Sequence, residues 1–182
     1  MIRRLLRSQA GVAVAEFALV LPVLMTFFYG CIEVTRYILA VQKTEKLAFT
    51  VANVVAQEKT VTNADLTSLL SATDHIMDPF AFEANGTVLI SSLYRAQGAS
   101  GATVNWQYTG GGTLAAISHL GAVGATPAMP GGFTFDNKEN VIAAEVFYKF
   151  SPLITTRFFS TTTVYRVAFY KPRLGALTAS PS

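Results

Sequence analysis

Arg3-Arg4-Leu5-Leu6-Arg7 opens a stretch that continues through Gly11-Val12-Ala13-Val14-Ala15-Glu16-Phe17 into an apolar run ending at Ile32. Residues 12–32 number 21, which as a helix rising about 1.5 Å per residue covers roughly 31 Å, the hydrocarbon thickness of a bilayer. The segment is long enough to span. One carboxylate, Glu16, lies inside it, where a charge costs roughly 2.5 to 3.5 kcal/mol at the centre of a span and less near an end. Such a group calls for a partner, and an amine created at Val12 is the obvious one.

Residues 1–11 carry Arg3, Arg4 and Arg7 and no acid, whereas the flank beyond Ile32 mixes Glu33, Arg36, Lys43, Glu45 and Lys46. The positive-inside rule then keeps the N-terminus cytoplasmic and puts the C-terminal bulk outside. The chain holds 14 basic and 11 acidic residues, and without the three leader arginines the count is 11 against 11. The basic balance thus belongs to a topogenic leader and is poor support for a nucleic-acid partner.

Other kinds of head fit less well. A secretory signal places its small-residue cleavage site after the apolar run, yet Ala13-Val14-Ala15 precedes it. A lipoprotein site at Gly30-Cys31 needs a Leu and a small residue just before it, and Phe28 and Tyr29 stand there. A plain signal anchor, with Glu16 snorkelling toward water near the membrane face, stays open.

Gly11, four small or apolar residues, and then Glu16-Phe17 resemble the cleavage site of type IV prepilins, where a prepilin peptidase cuts after the glycine. The longer string Ala15-Glu16-Phe17-Ala18-Leu19-Val20-Leu21-Pro22-Val23-Leu24, continuing through Tyr29-Gly30-Cys31-Ile32-Glu33-Val34-Thr35-Arg36-Tyr37, resembles the TadE-like family. Members are minor pilins or pseudopilins of the tight-adherence (Tad/Flp) pilus and secretion system. The resemblance covers about residues 8–57, and Val164-Tyr165-Arg166 with Tyr170-Lys171-Pro172-Arg173 is similar to the way such chains end. It implies processing between Gly11 and Val12, and pairing of the new amine with Glu16, beside Phe17, within one chain or between neighbours. The implied partners are prepilin peptidase, other pilins or pseudopilins, inner-membrane pilus-assembly proteins and the lipid bilayer.

Beyond the span the helical period continues. Val34, Tyr37, Ile38, Val41, Leu47, Val51, Val54 and Val55 recur at steps of three and four, and neither Gly nor Pro interrupts residues 31–57. One helix over 12–57 is expected, its amphipathic half (33–57) laying this face on a globular domain. Pro22 lies within the span, where neighbours can compensate for its missing donor.

Residues 58–182 suffice for one domain and carry eight basic and eight acidic residues. Thr62-Asn63-Ala64-Asp65 reads as the cap of a short helix reaching about Ala72. Strands are expected over 87–94, 103–108, 141–150 and 161–170, rich in β-branched and aromatic residues. Ile142, Ala144, Val146, Tyr148 and Phe150 share one face of the third, and Tyr165, Val167 and Phe169 are expected to play the same core role in the fourth. Helix first and antiparallel strands after is an α+β arrangement, the long helix covering about four strands. Pilins use that order, as the resemblance implies.

The glycines of 98–101 and 110–112 lack the Lys-Ser or Lys-Thr of a phosphate loop and read as turns. Residues 121–132 read as an irregular surface connection, and Asn85-Gly86 as a turn rather than a glycosylation acceptor. Asp74-His75 with Asp78, and Ser118-His119, are the nearest approaches to a catalytic or metal pair. With only two histidines, 44 positions apart, no convergent site forms, so the expectation is a non-enzyme without metal or cofactor. Cys31, the single cysteine, reads as a packing residue, and Glu145 is expected to pair with Arg166 across strands. Leu153, Ile154, Phe158 and Phe159 crowd a connection between strands, which suggests a partner contact or a satellite cluster folded onto the domain. Together these readings describe an envelope-anchored minor pilin or pseudopilin of the inner membrane, the alternative being a signal-anchored extracytoplasmic adaptor outside any filament.

Overall fold

One helix, α1 (Gln9–Val55), carries 47 residues and so extends about 70 Å. The structure, a computed structural model, describes residues 9–153 and 160–182. Arg3, Arg4, Arg7, Ile154, Phe158 and Phe159 lie outside the described residues. Pro22 sits inside α1 without ending it. Hydroxyls along the helix are absorbed by its own carbonyls: Thr26 Oγ1 donates to Pro22 O and Thr35 Oγ1 to Cys31 O, each at 2.8 Å. An internal partner of this kind lets a hydroxyl enter an apolar setting.

Three short helices follow: α2 (Asn63–Ser71), α3 (Thr73–Met77) and α4 (Phe82–Asn85). Thr62 caps α2 as expected, its side chain accepting from the Asp65 amide while Asp65 accepts from the Thr62 amide. The hydrogen bonds that the Asp65 carboxylate accepts, from the Thr62 hydroxyl first and from the Thr62 amide second, hold it below its ordinary range. Strands β1 (Gly86–Tyr94), β2 (Thr103–Gly110), β3 (Asn140–Phe150) and β4 (Thr162–Tyr170) form one antiparallel sheet in the order β2-β1-β3-β4. The α+β arrangement is therefore present. Asn85-Gly86 is a helix-to-strand junction rather than a hairpin turn, because Asn85 ends α4 and Gly86 begins β1. The junction needs glycine twice. A Cβ on Gly86 would lie 2.3 Å from the Phe82 ring, and one on Gly112 would lie 2.2 Å from Gly86 O.

The upper part of α1 lies on the β3–β4 half of the sheet. Its seam is Ala40, Thr44, Leu47, Ala48, Val51, Ala52 and Val55, all buried. Small residues on the helix meet Ala144 and Ala168 on the sheet in the same core, with Val88, Ile90, Trp106, Ile142, Val146 and Tyr148 around them. This corrects the expected apolar face. Leu47, Val51 and Val55 are buried and Val41 packs against the core, but Val34, Tyr37 and Ile38 are left about half exposed. Close approach of two backbones favours Ala and Thr, so small residues outrank bulky ones in setting the seam.

A second correction concerns β4. The register pairs Tyr148 with Val164 and Ala144 with Ala168, so Tyr165, Val167 and Phe169 face the opposite side of the sheet. That side is covered too: Leu120, Met129 and Phe135 pack there with Leu93, Val104, Val141, Ala143, Val167 and Phe169. The connection over 121–132 is largely exposed as expected, but Pro127 is buried within it and its flanks form this second layer.

The chain end closes the pole far from the N-terminus. Leu177 O accepts from Trp106 Nε1 at 2.9 Å and from Ser92 Oγ at 2.6 Å, while Leu177 N donates to Asn140 Oδ1 at 2.7 Å. Arg173 N reaches Ala56 O at 2.9 Å, tying the tail to the top of α1.

Candidate functional site

Among the described residues, the lower part of α1 stands almost bare. Over residues 11–29 every side chain but the partly covered Leu21 is exposed, including Val12, Glu16 and Phe17. The helix is long and apolar enough to cross a membrane by length and composition. Gly11 and Val12 are solvent-facing helical residues. A Cβ added to Gly11 meets nothing within 4 Å, so the fold itself makes no demand for glycine there.

Glu33 marks the change from bare to covered helix. It is only 3% exposed, and its Oε1 accepts from the Leu153 amide at 2.7 Å. Arg36 Nη1 stands 3.6 Å from Glu33 Oε2. The Arg36 guanidinium also lies over the Phe80 and Phe150 rings, at 5.9 and 5.7 Å, and Tyr37 meets Phe150 edge-on at 5.4 Å. A buried carboxylate is tolerable only with such hydrogen-bonding and cationic company. Leu153 is 70% exposed; its companions Ile154, Phe158 and Phe159 fall outside the described residues.

Glu145 is the second buried carboxylate, fully enclosed on the side of the sheet away from α1. Ser118 Oγ donates to its Oε2, the His119 amide to its Oε1 at 2.8 Å, and the Tyr165 hydroxyl to the same Oε1 at 3.0 Å. Burial, then the Glu145 charge and hydrogen bond, push the Tyr165 phenol well above its ordinary range. The expected Glu145–Arg166 pair is absent because the two residues face opposite sides of the sheet. Arg166 instead reaches Glu45 on α1, Nε to Oε2 4.0 Å.

Among the candidate catalytic residues, Asp74, Ser118 and His119 make contacts within the fold. Asp74 Oδ1 accepts from the amides of Phe82 and Glu83 at 2.9 and 3.3 Å, capping α4. Ser118 gives its hydroxyl to Glu145, and the His119 ring lies 4.2 Å from that of Tyr165 and 5.2 Å from that of Phe147. Both buried carboxylates escape sequence reading as anchors. The signal for Glu145 is a lone acid within an eleven-residue strand otherwise almost wholly apolar.

Residues 11–53 match the TadE-like protein family. The chain carries a TadE-like segment. That segment starts two residues into α1 and stops two before its end, so the TadE-like likeness lies wholly in the helix and takes in both Glu16 and Glu33. No curated protein and no solved structure matches the chain.

Proposed function

We propose that the protein is a minor pilin or pseudopilin that takes part in assembling a Tad/Flp-type pilus or its secretion machine. The observation that carries this is the division of the TadE-like helix, bare and apolar below Glu33 and seated on a sheet above it. A bare span can partition between lipid and a bundle of like helices while the sheet domain stays outside the bundle. In this reading Arg3, Arg4 and Arg7 keep the N-terminus in the cytoplasm, and the chain crosses the inner membrane once. Prepilin peptidase cuts between Gly11 and Val12; the indifference of the fold to a side chain at Gly11 supports a requirement imposed by the peptidase.

Cleavage places the Val12 amine one helical turn from Glu16. At about 4 Å and an effective dielectric near 20, such a pair gains roughly 4 kcal/mol before desolvation, comparable with holding the carboxylate in a membrane. Glu16, flanked by Phe17, pairs with its own amine or with a neighbour's and so couples processing to assembly. The test is recovery of the protein with sheared or cross-linked pilus components. Its consistent presence there supports the reading; persistence in membranes alone, in cells making pili, would make it a signal-anchored adaptor instead.

A further inference from the structure

We infer that the protein touches the bilayer at a second place, just beyond β3, where the Leu153 side chain rests in the lipid interface beside the anchor helix. The inference rests on the membrane-anchor reading above. Its geometry is set by Glu33, one residue beyond the 12–32 span, whose carboxylate holds the Leu153 amide at 2.7 Å. If 12–32 fills the hydrocarbon core, Leu153 is pinned within a side chain's reach of its boundary. The level is well defined because Glu33 is also beside Arg36, which is packed over Phe80 and Phe150, so the lower end of the domain is closed by ring contacts.

Leu153 is nevertheless 70% exposed. A large aliphatic side chain held out at the plane where the helix becomes bare faces headgroups whenever the anchor is inserted, whereas a protein partner must be supplied separately. That favours lipid. The chain offers its own contrast in Leu174, 62% exposed but at the opposite pole. There Arg173 N binds Ala56 O, about 35 Å further along α1 than Glu33. The contact is apolar, so it does not depend on lipid charge.

The experiment uses the full chain with its single cysteine removed (Cys31→Ser) and one new cysteine at a time, Leu153→Cys, Leu174→Cys or Leu19→Cys. Each carries an environment-sensitive fluorophore in phosphatidylcholine vesicles containing lipids with a nitroxide near the headgroup or deep in the acyl chain. Circular dichroism matching that of the Cys31→Ser chain qualifies each variant. Expected are a blue-shifted emission at 153 that loses most of its intensity to the shallow nitroxide, no such loss at 174, and strong quenching by the deep nitroxide at 19. Quenching at 19 with none at 153 overturns the inference and leaves the anchor standing. Protection at 153 only after pilus components are added assigns the contact to a protein and overturns it equally. Absence of quenching at 19 overturns the anchor reading, and the inference with it.

Discussion

The Tyr165 hydroxyl donates to Glu145 Oε1 across 3.0 Å, a diagonal contact between β4 and β3 that helps keep a carboxylate in a fully enclosed position. Replacing Tyr165 by Phe removes the donor and leaves the charge less satisfied. Loss of a hydrogen bond to a buried charged group should lower stability by about 1.5 to 3 kcal/mol. Urea unfolding in detergent, followed through the single Trp106, measures it.

The same contact gives an alkaline limb. Burial and Glu145 raise the Tyr165 phenol above its unfolded value of 10.0, so the neutral phenol is the form the fold favours. That contribution is fully present below pH 10 and is lost as pH rises through the folded value. Stability should therefore fall above about pH 10, and the fall should be shallower in Tyr165→Phe. Equal slopes in both proteins would remove Tyr165 as its source.

The corrected seam of α1 can be tested by contrast. Leu47 is fully buried against the sheet and Ile38 is half exposed. Leu47→Ala should destabilise the domain by about 3 kcal/mol through lost burial and a residual cavity. Ile38→Ala should stay within about 0.5 kcal/mol. An equal cost at the two positions in urea unfolding would return Ile38 to the buried face expected along Val34, Tyr37, Ile38, Val41, Leu47, Val51, Val54 and Val55.

The long helix and the four strands are legible because they rest on local signals: an uninterrupted helical period in α1, a Thr62–Asp65 cap, and β-branched runs bounded by Gly, Pro and Asn. What escapes is set by contacts far apart in sequence. The β4 face cannot be read from alternation, because Val164 and Ala168 on one side and Val167 and Phe169 on the other are both covered. Glu33 finds Leu153 and Glu145 finds Ser118 only once the sheet is assembled. The reading of Gly11, Val12, Glu16 and Phe17 depends on sequence motif alone, since those residues stand exposed on bare helix.

Glu16→Leu makes the span more apolar, so membrane recovery should be unchanged or higher. A processed chain would then hold its Val12 amine without that carboxylate, and co-recovery with sheared or cross-linked pilus components should fall about tenfold or more, the equivalent of 1.4 kcal/mol. Normal co-recovery of the variant would reduce Glu16 to a recognition mark for the peptidase or a tolerated charge.

Processing underlies both the amine partner and the assembly role, and the N-terminus of the protein recovered from membranes reports it directly. In cells with active prepilin peptidase the expected mature chain begins at Val12, and Gly11→Phe should leave the leader attached while insertion proceeds. Wild-type protein that still begins at Met1 in those cells would contradict the account.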